Sequence, residues 1–427
     1  MLQARKTILT WSATQWHDYE QRGLQLDNYA VFENAAGSLG WTGFGAVATY
    51  TPTAANAFTE VAAWLTQLQA ELTSVVAPQD IAILGGFSFT AKGAQQQDAW
   101  GALANGYFVL PRFLVKKTAA QTVLIELTRA EFATADSLAD FEAFLPPLAS
   151  ENPVASILVQ TEQATQWQQA VTEVVQQLQT DPQLEKVVLA RTLQVSSQQP
   201  FVVSQLLTTL RQTHAAVYHL VLKVADQVFI SATPERLVAL KGRQLATAAV
   251  AGTAPRASDP VADEALGAAL LRDAKNRREQ QIVVTAIRQQ LQNITTTLSV
   301  PTLPRLLKSQ QVQHLYTPIT ATLQASVDLF GVVAALHPTP ALGGQPAALA
   351  LPLIQRLEPQ YRGLFGAPFG YATLAGDGEF AVAIRSMLVQ QKTALLFAGA
   401  GIVAASQPAV EVRETALKFQ PMLQLLK

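Results

Sequence analysis

Six charged side chains stand inside stretches that are otherwise apolar: Lys186, Glu235, Glu279, Arg385, Glu414 and Lys418. Asp, Glu, Lys and Arg make up only 14% of the chain. A charge placed where the pattern predicts burial therefore calls for a partner, a metal or a charged ligand. Lys186 opens the run Lys186-Val187-Val188-Leu189-Ala190-Arg191, and Arg385 interrupts Phe380-Ala381-Val382-Ala383-Ile384-Arg385-Ser386-Met387. Drawn from distant segments, these groups predict one polar pocket that receives an anion together with a cation.

Each has its own chemistry and its own plainer alternative. Glu279 recurs with Lys275, Ile282, Val283, Ala286 and Ile287 at helical spacing and so falls on an apolar stripe; the alternative is an ion pair with Arg277 or Arg278 at the stripe's edge. Glu411, Glu414 and Lys418 share one helical face by spacings of three and four; the alternative is an exposed, ion-paired face. Carboxylates on two helices could coordinate a hard cation, and Mg²⁺ commonly takes one or two of them plus oxygens of the substrate. Arg385, expected in a strand apolar on both faces, could clamp a carboxylate in bidentate fashion or form a structural salt bridge. Lys186 occupies a similar strand, where desolvation or a nearby cation would lower its pKa toward that of a general base; a strand-end lysine reaching solvent explains it otherwise.

Glycine-containing loops at Gly252, Gly343-Gly344 and Gly399-Ala400-Gly401 could bring backbone N–H groups to an anion. None fits a dinucleotide fingerprint or a Walker loop. The five histidines show no metal-ligand spacing, and no Ser/His/Asp arrangement or nucleophile elbow is present.

The elements that must position these groups are short strands interleaved with helices. Ile81–Phe89, Gly106–Val115, Val217–Val224, Gln227–Ser231, Phe365–Gln391 and Ala394–Ala405 read as strands, broken at Gly or Pro. Ala55–Leu72, Gln160–Thr180, Val261–Gln292 and the segment from Pro408 read as helices, the last capped by Ser406. Phe141–Pro153, with three prolines, is the linker candidate, dividing residues 1–150 from 151–427. The class is α+β, with layered antiparallel sheets and outer helices.

Composition narrows the function. The 427 residues carry a net charge of −1, which gives no electrostatic case for nucleic acid or an anionic membrane. Cysteine is absent, excluding disulfides, thiolate metal sites and Cys nucleophiles. With no signal-peptide pattern and no apolar run of spanning length, the expectation is a cytoplasmic protein, monomer or homodimer.

Taken in order, Lys186–Arg191, Thr233-Pro234-Glu235-Arg236-Leu237, Ala251-Gly252-Thr253, Lys275–Glu279, His337-Pro338-Thr339-Pro340-Ala341, Tyr361-Arg362-Gly363, Ala383-Ile384-Arg385-Ser386 and Gly399-Ala400-Gly401-Ile402-Val403 resemble the chorismate-utilising enzymes, specifically the isochorismate synthases. The resemblance is strong over residues 160–427 and looser before. It implies a chorismate-binding fold of two subdomains. It also implies Mg²⁺-dependent isomerisation of chorismate, with water adding at ring carbon 2 as the hydroxyl at carbon 4 departs. By the same resemblance Lys186 is the general base and Glu235 the general acid. Glu279 and Glu414 are the direct Mg²⁺ ligands, with Glu411 acting through water. Arg385 and Lys418 hold substrate carboxylates; Gly252, Thr253, Gly399 and Gly401 line the substrate, and His314, Ala341 and Leu342 its ring. Two positions depart from relatives: Asn276 where many have an acidic residue, and Gln280 where His is frequent. The rivals are salicylate synthase, which goes on to eliminate pyruvate, anthranilate and aminodeoxychorismate synthases, which add ammonia, and an inactive chorismate-binding regulatory protein. The His337–Ala341 loop resembles the isochorismate synthase form, Lys186 argues against an anthranilate synthase, and the general resemblance leans toward the menaquinone-pathway enzyme.

Overall fold

The computed structural model describes residues 1–53, 55–148, 157–162, 164–308 and 312–427. The proposed division at residue 150, and the end of the linker candidate from residue 149 on, lie outside them.

Two antiparallel sheets form the frame. The larger follows the strand order Gln3–Leu9, Thr122–Thr128, Phe113–Thr118, Leu39–Phe44, Asn28–Glu33, Tyr218–Val224, Gln227–Thr233, Ser386–Gln390, Thr393–Ile402, Lys186–Ser197 and Gly344–Gln345, with Ile157–Glu162 also paired to Lys186–Ser197. The smaller runs Thr295–Ser299, Val312–Leu323, Gln244–Pro255, Arg236–Lys241, Gly378–Val382, Pro368–Thr373, Ala82–Phe87, Gly106–Leu110 and Ala48–Tyr50. Each sheet takes strands from both sides of residue 150. Ala82–Phe87, Gln227–Thr233 and Pro368–Thr373 are buried along their whole length, which is why they read as apolar runs rather than alternating ones. Trp100, Phe229, Phe369 and Phe397 fill the space between, and complete burial of each such side chain contributes about 1.5–3 kcal/mol.

Among the described residues the chain steps directly from one sheet to the other four times: between Phe44 and Ala48, Leu110 and Phe113, Thr233 and Arg236, and Val382 and Ser386. Pro111 and Pro234 occupy two of these steps and Gly45, with φ +63°, a third.

Helices cover the outside. Pro408–Leu425 packs on Thr393–Ile402 and against Ala164–Thr180, and Ala274–Gln292 packs on Gln244–Pro255. Three expectations are corrected here. Residues 160–162 belong to a strand, because they pair with Leu193–Val195, and the helix begins at Ala164. The predicted helix Val261–Gln292 is two helices, Pro260–Arg272 and Ala274–Gln292, because Asp273 ends the first and caps the second, accepting from the Asn276 N–H at 2.8 Å. Ser406 does not cap the last helix; its Oγ accepts from the Val403 N–H at 3.2 Å, and Gln407 occupies the cap position. No helix among the described residues is long and apolar enough to cross a membrane. Asp273→Ala is expected to cost about 1 kcal/mol through loss of the cap, read as a lower denaturation midpoint.

Candidate active site

Two adjacent sheet-to-sheet steps place Glu235 and Arg385. Glu235 follows Pro234 between Gln227–Thr233 and Arg236–Lys241, and Arg385 lies between Gly378–Val382 and Ser386–Gln390. The steps are stitched together. The Ala232 N–H donates to the Arg385 carbonyl at 3.0 Å, the Val382 N–H to the Glu235 carbonyl at 2.9 Å, and Ser231 Oγ to the Ile384 carbonyl at 2.7 Å. Arg385 is therefore not within a strand, as its apolar surroundings had suggested. It makes the bend itself with φ +49°, a left-handed conformation costing a non-glycine residue on the order of 1 kcal/mol, which the surrounding bonds hold in place.

The two side chains feel each other. Burial pushes the Glu235 carboxyl up to about 7, against the opposing pull of Arg385 and Lys186. Burial also lowers the pKa of Arg385, with Glu235 and Glu414 working the other way. A carboxyl that keeps its proton near neutrality, beside two cations, is suited to donate it.

Lys186 begins its strand opposite Gln345 and is only 15% exposed. Its Nζ lies 3.6 Å from Glu279 Oε1. Glu279 thus pairs across the fold rather than with Arg277 or Arg278, the neighbours its own helix offered. It stands at the edge of that helix's buried face, next to buried Gln280, whose Nε2 donates to the Ala249 carbonyl at 2.9 Å and to Thr317 Oγ1 at 3.0 Å. Gly401 leaves room for the lysine: a Cβ there would stand 2.6 Å from Lys186 Cε.

On the C-terminal helix Lys418 Nζ donates to Glu414 Oε1 at 2.6 Å and to the Gly399 carbonyl at 2.9 Å. Burial lowers the pKa of Lys418, helped by Arg385 and opposed by Glu414. Glu411 is buried, and burial together with Glu414 raises its pKa; Lys275, on the helix that carries Glu279, acts in the opposite sense. Among the described residues no three His, Cys, Asp or Glu side chains gather closely enough to hold a metal by themselves. Glu279 and Glu414 each face a lysine instead.

Gly252 has φ +65°, and a Cβ on it would stand 2.9 Å from Asn276 Oδ1. It sits at an irregularity where Thr253 pairs with His314. His314 Nδ1 lies 3.0 Å from Thr253 Oγ1 and 3.3 Å from the Gly252 carbonyl. Burial lowers its pKa, so the ring is neutral; since the carbonyl only accepts, Nδ1 carries the proton and Nε2 is left as an acceptor. Arg385 acts on this histidine too. Leu342 is buried and Ala341 half-buried in the turn after the His337 loop.

One supporting pair carried no role in the sequence reading. Arg362 and Glu358, both almost fully buried, form an ion pair. Arg362 also donates to the Leu342 carbonyl at 2.9 Å and the Val188 carbonyl at 2.7 Å, while Glu358 accepts from the Ala190 N–H at 2.6 Å. The pair thus fixes the turn that carries Leu342 against the strand that begins at Lys186. Its signal was the i, i+4 spacing of opposite charges around an apolar segment.

A family profile described as chorismate binding enzyme matches residues 7–427. The chain belongs to the chorismate-binding enzyme family. It is 34% identical over 354 residues to isochorismate synthase MenF of Bacillus subtilis, covering 81% of this chain and 74% of that one. It is 40% identical over 263 residues to the salicylate biosynthesis isochorismate synthase of Pseudomonas aeruginosa, covering 61% of this chain and 54% of the relative. The solved structure of MenF, the menaquinone-specific isochorismate synthase of Escherichia coli, superposes with a TM-score of 0.84 at 25% identity, over 100% of this chain and 95% of that one.

Two predictions arise from this geometry. Arg362→Leu leaves the Glu358 charge buried and unpaired, and is expected to destabilise the fold by about 3–5 kcal/mol, measurable by denaturant unfolding. Gly401→Val presses on the Lys186 stem; turnover is expected to fall at least about tenfold, the cost of a small misplacement within a site, with circular dichroism unchanged.

Proposed function

We propose that this member of the family is an isochorismate synthase, converting chorismate to isochorismate. The observation that carries the reading is Glu235, a carboxyl held near a pKa of 7 by burial within the fields of Lys186 and Arg385. Balanced chemistry needs both a base and an acid. Lys186 is assigned as the base, its amine taking a proton from the water whose oxygen bonds to carbon 2. The ring double bonds shift, and Glu235 gives its proton to the hydroxyl leaving carbon 4. One water enters and one departs, so the reaction is an isomerisation. Arg385 and Lys418 bind the two substrate carboxylates, and the Nε2 of neutral His314 accepts from a substrate hydroxyl. Gly252, Thr253, Gly399, Ala341, Leu342 and Gly401 complete the walls.

We assign Glu279, Glu414 and Glu411 to a divalent cation, Mg²⁺. The donors are all hard oxygens on two helices, and each of the two half-exposed carboxylates faces a lysine that could be exchanged for the ion. They fit an ion that completes its shell with substrate oxygens and water. When bound, such an ion neutralises a substrate carboxylate as electron density shifts. The product is proposed to enter menaquinone synthesis in the cytoplasm, a reading supported by the likeness along the whole chain to the menaquinone-specific enzyme.

Incubation of purified protein with chorismate and Mg²⁺ should yield isochorismate on chromatography; salicylate with pyruvate, or ammonia-dependent anthranilate, would replace the reading. Lys186→Ala and Glu235→Gln are each expected to lower kcat about a hundredfold or more with the fold intact. Because Glu235 acts while protonated, its loss of a proton should make kcat/KM decline as pH rises through about 7; Glu235→Gln should erase that decline from the residual activity. Glu414→Ala should raise the Mg²⁺ concentration needed for half-maximal rate, and an unchanged titration would contradict its assignment.

A further inference from the structure

We infer that Arg191 is a positioning residue for the carboxylates of the C-terminal helix, setting how they are presented to the cation; this rests on the isochorismate synthase reading above. Arg191 lies on the strand Lys186–Ser197 and is 3% exposed. Its Nε–H donates to Thr415 Oγ1 at 2.8 Å and its Nη2–H to the Val412 carbonyl at 3.1 Å. The guanidinium lies over the rings of Phe419, at 5.1 Å, and Trp167, at 5.7 Å, the first on the same helix and the second on the helix beneath it. Its two partners, Val412 and Thr415, immediately follow Glu411 and Glu414 in sequence. Thr415 Oγ1 in turn donates to the Glu411 carbonyl at 3.0 Å, so a chain of bonds runs from Arg191 to the backbone of Glu411 itself.

The geometry has a specific consequence. An apolar helix face packed on a sheet tolerates small slides and rotations, because dispersion contacts are individually weak and non-directional. Successive residues of a helix point about 100° apart, so a modest rotation carries two carboxylates away from a fixed point. A planar guanidinium that bonds two sites on one turn, while sandwiched between two rings, removes that freedom. It does so from the strand that also carries Lys186, tying the base and the carboxylates to one element. Arg191 touches neither substrate nor ion in this scheme; it acts through the helix.

The test compares Arg191→Met, which keeps the buried stem but lacks the fork, with Thr415→Val, which removes only the bridging hydroxyl, and Arg191→Lys, which keeps the charge. Mg²⁺ affinity is measured by calorimetric titration in an equilibrated chorismate–isochorismate mixture, alongside thermal melting and the Mg²⁺ dependence of turnover. Arg191→Met is expected to weaken Mg²⁺ binding about tenfold or more, as loss of a residue supporting a metal ligand does. Its kcat should recover at high Mg²⁺, Thr415→Val should move the same way, and Arg191→Lys should restore part of the loss. A folded Arg191→Met protein with a lower melting temperature but wild-type Mg²⁺ affinity would reduce Arg191 to a packing residue and overturn the inference. If Arg191→Met does not fold, Thr415→Val decides on the same readout. A wild-type protein that neither isomerises chorismate nor binds Mg²⁺ overturns the functional reading instead, and is recognised in the wild-type arm before any variant is compared.

Discussion

Two chain segments that change sheets side by side hold each other by their backbones, and the site hangs on that junction. A carbonyl at a bend has no ladder partner of its own, and burying it unpaired would cost about 1–3 kcal/mol. Here the Arg385 carbonyl accepts from Ala232 and the Glu235 carbonyl from Val382, so each step satisfies the other. The residues at the bends are freed from the alternation of a strand and can lean into the gap where the sheets part. That is how a carboxylate and a guanidinium more than a hundred positions apart in the chain come to share one low-dielectric space.

Burial sets the electrostatics of that space. Desolvation is the leading cause of the shifts at Glu235, Arg385, Lys418, His314 and Glu411, and in each case it favours the less charged form. Except at His314, opposite charges counter it without cancelling it. The result is a buried site where a proton can be held on the Glu235 carboxyl beside basic side chains. The lysine–glutamate contacts at its rim, Lys186 with Glu279 and Lys418 with Glu414, leave no large uncompensated charge while each carboxylate keeps an exposed side.

Around this centre the fold spends buried ion pairs and guanidinium forks on fixing elements in place rather than on stability alone. Arg362 joins the Leu342 turn to the strand of Lys186, and Arg191 joins that same strand to the C-terminal helix. Such forks are directional where apolar packing is not. The strand Lys186–Ser197 is therefore the reference against which two sides of the site are set.

Much of this was legible along the chain. Charges stranded in apolar stretches marked Lys186, Glu235, Glu279, Arg385 and the Glu414–Lys418 pair, because burial of a charge is expensive enough to leave a trace in composition, and the order of motifs pointed to the family. Helix and strand identities followed from periodicity, failing where partners outweighed it: residues 160–162 joined a sheet, and Asp273 split one long helical pattern into two. Pattern alone placed Arg385 in a strand, since a left-handed bend between two apolar strands reads the same as an unbroken one. What the sequence determined by itself was which groups need compensation, a property of each residue and its near neighbours. Only the tertiary structure decided who compensates whom, such as Glu279 choosing Lys186 over the arginines beside it, because pairing depends on distances through space that sheet crossings and helix packing create.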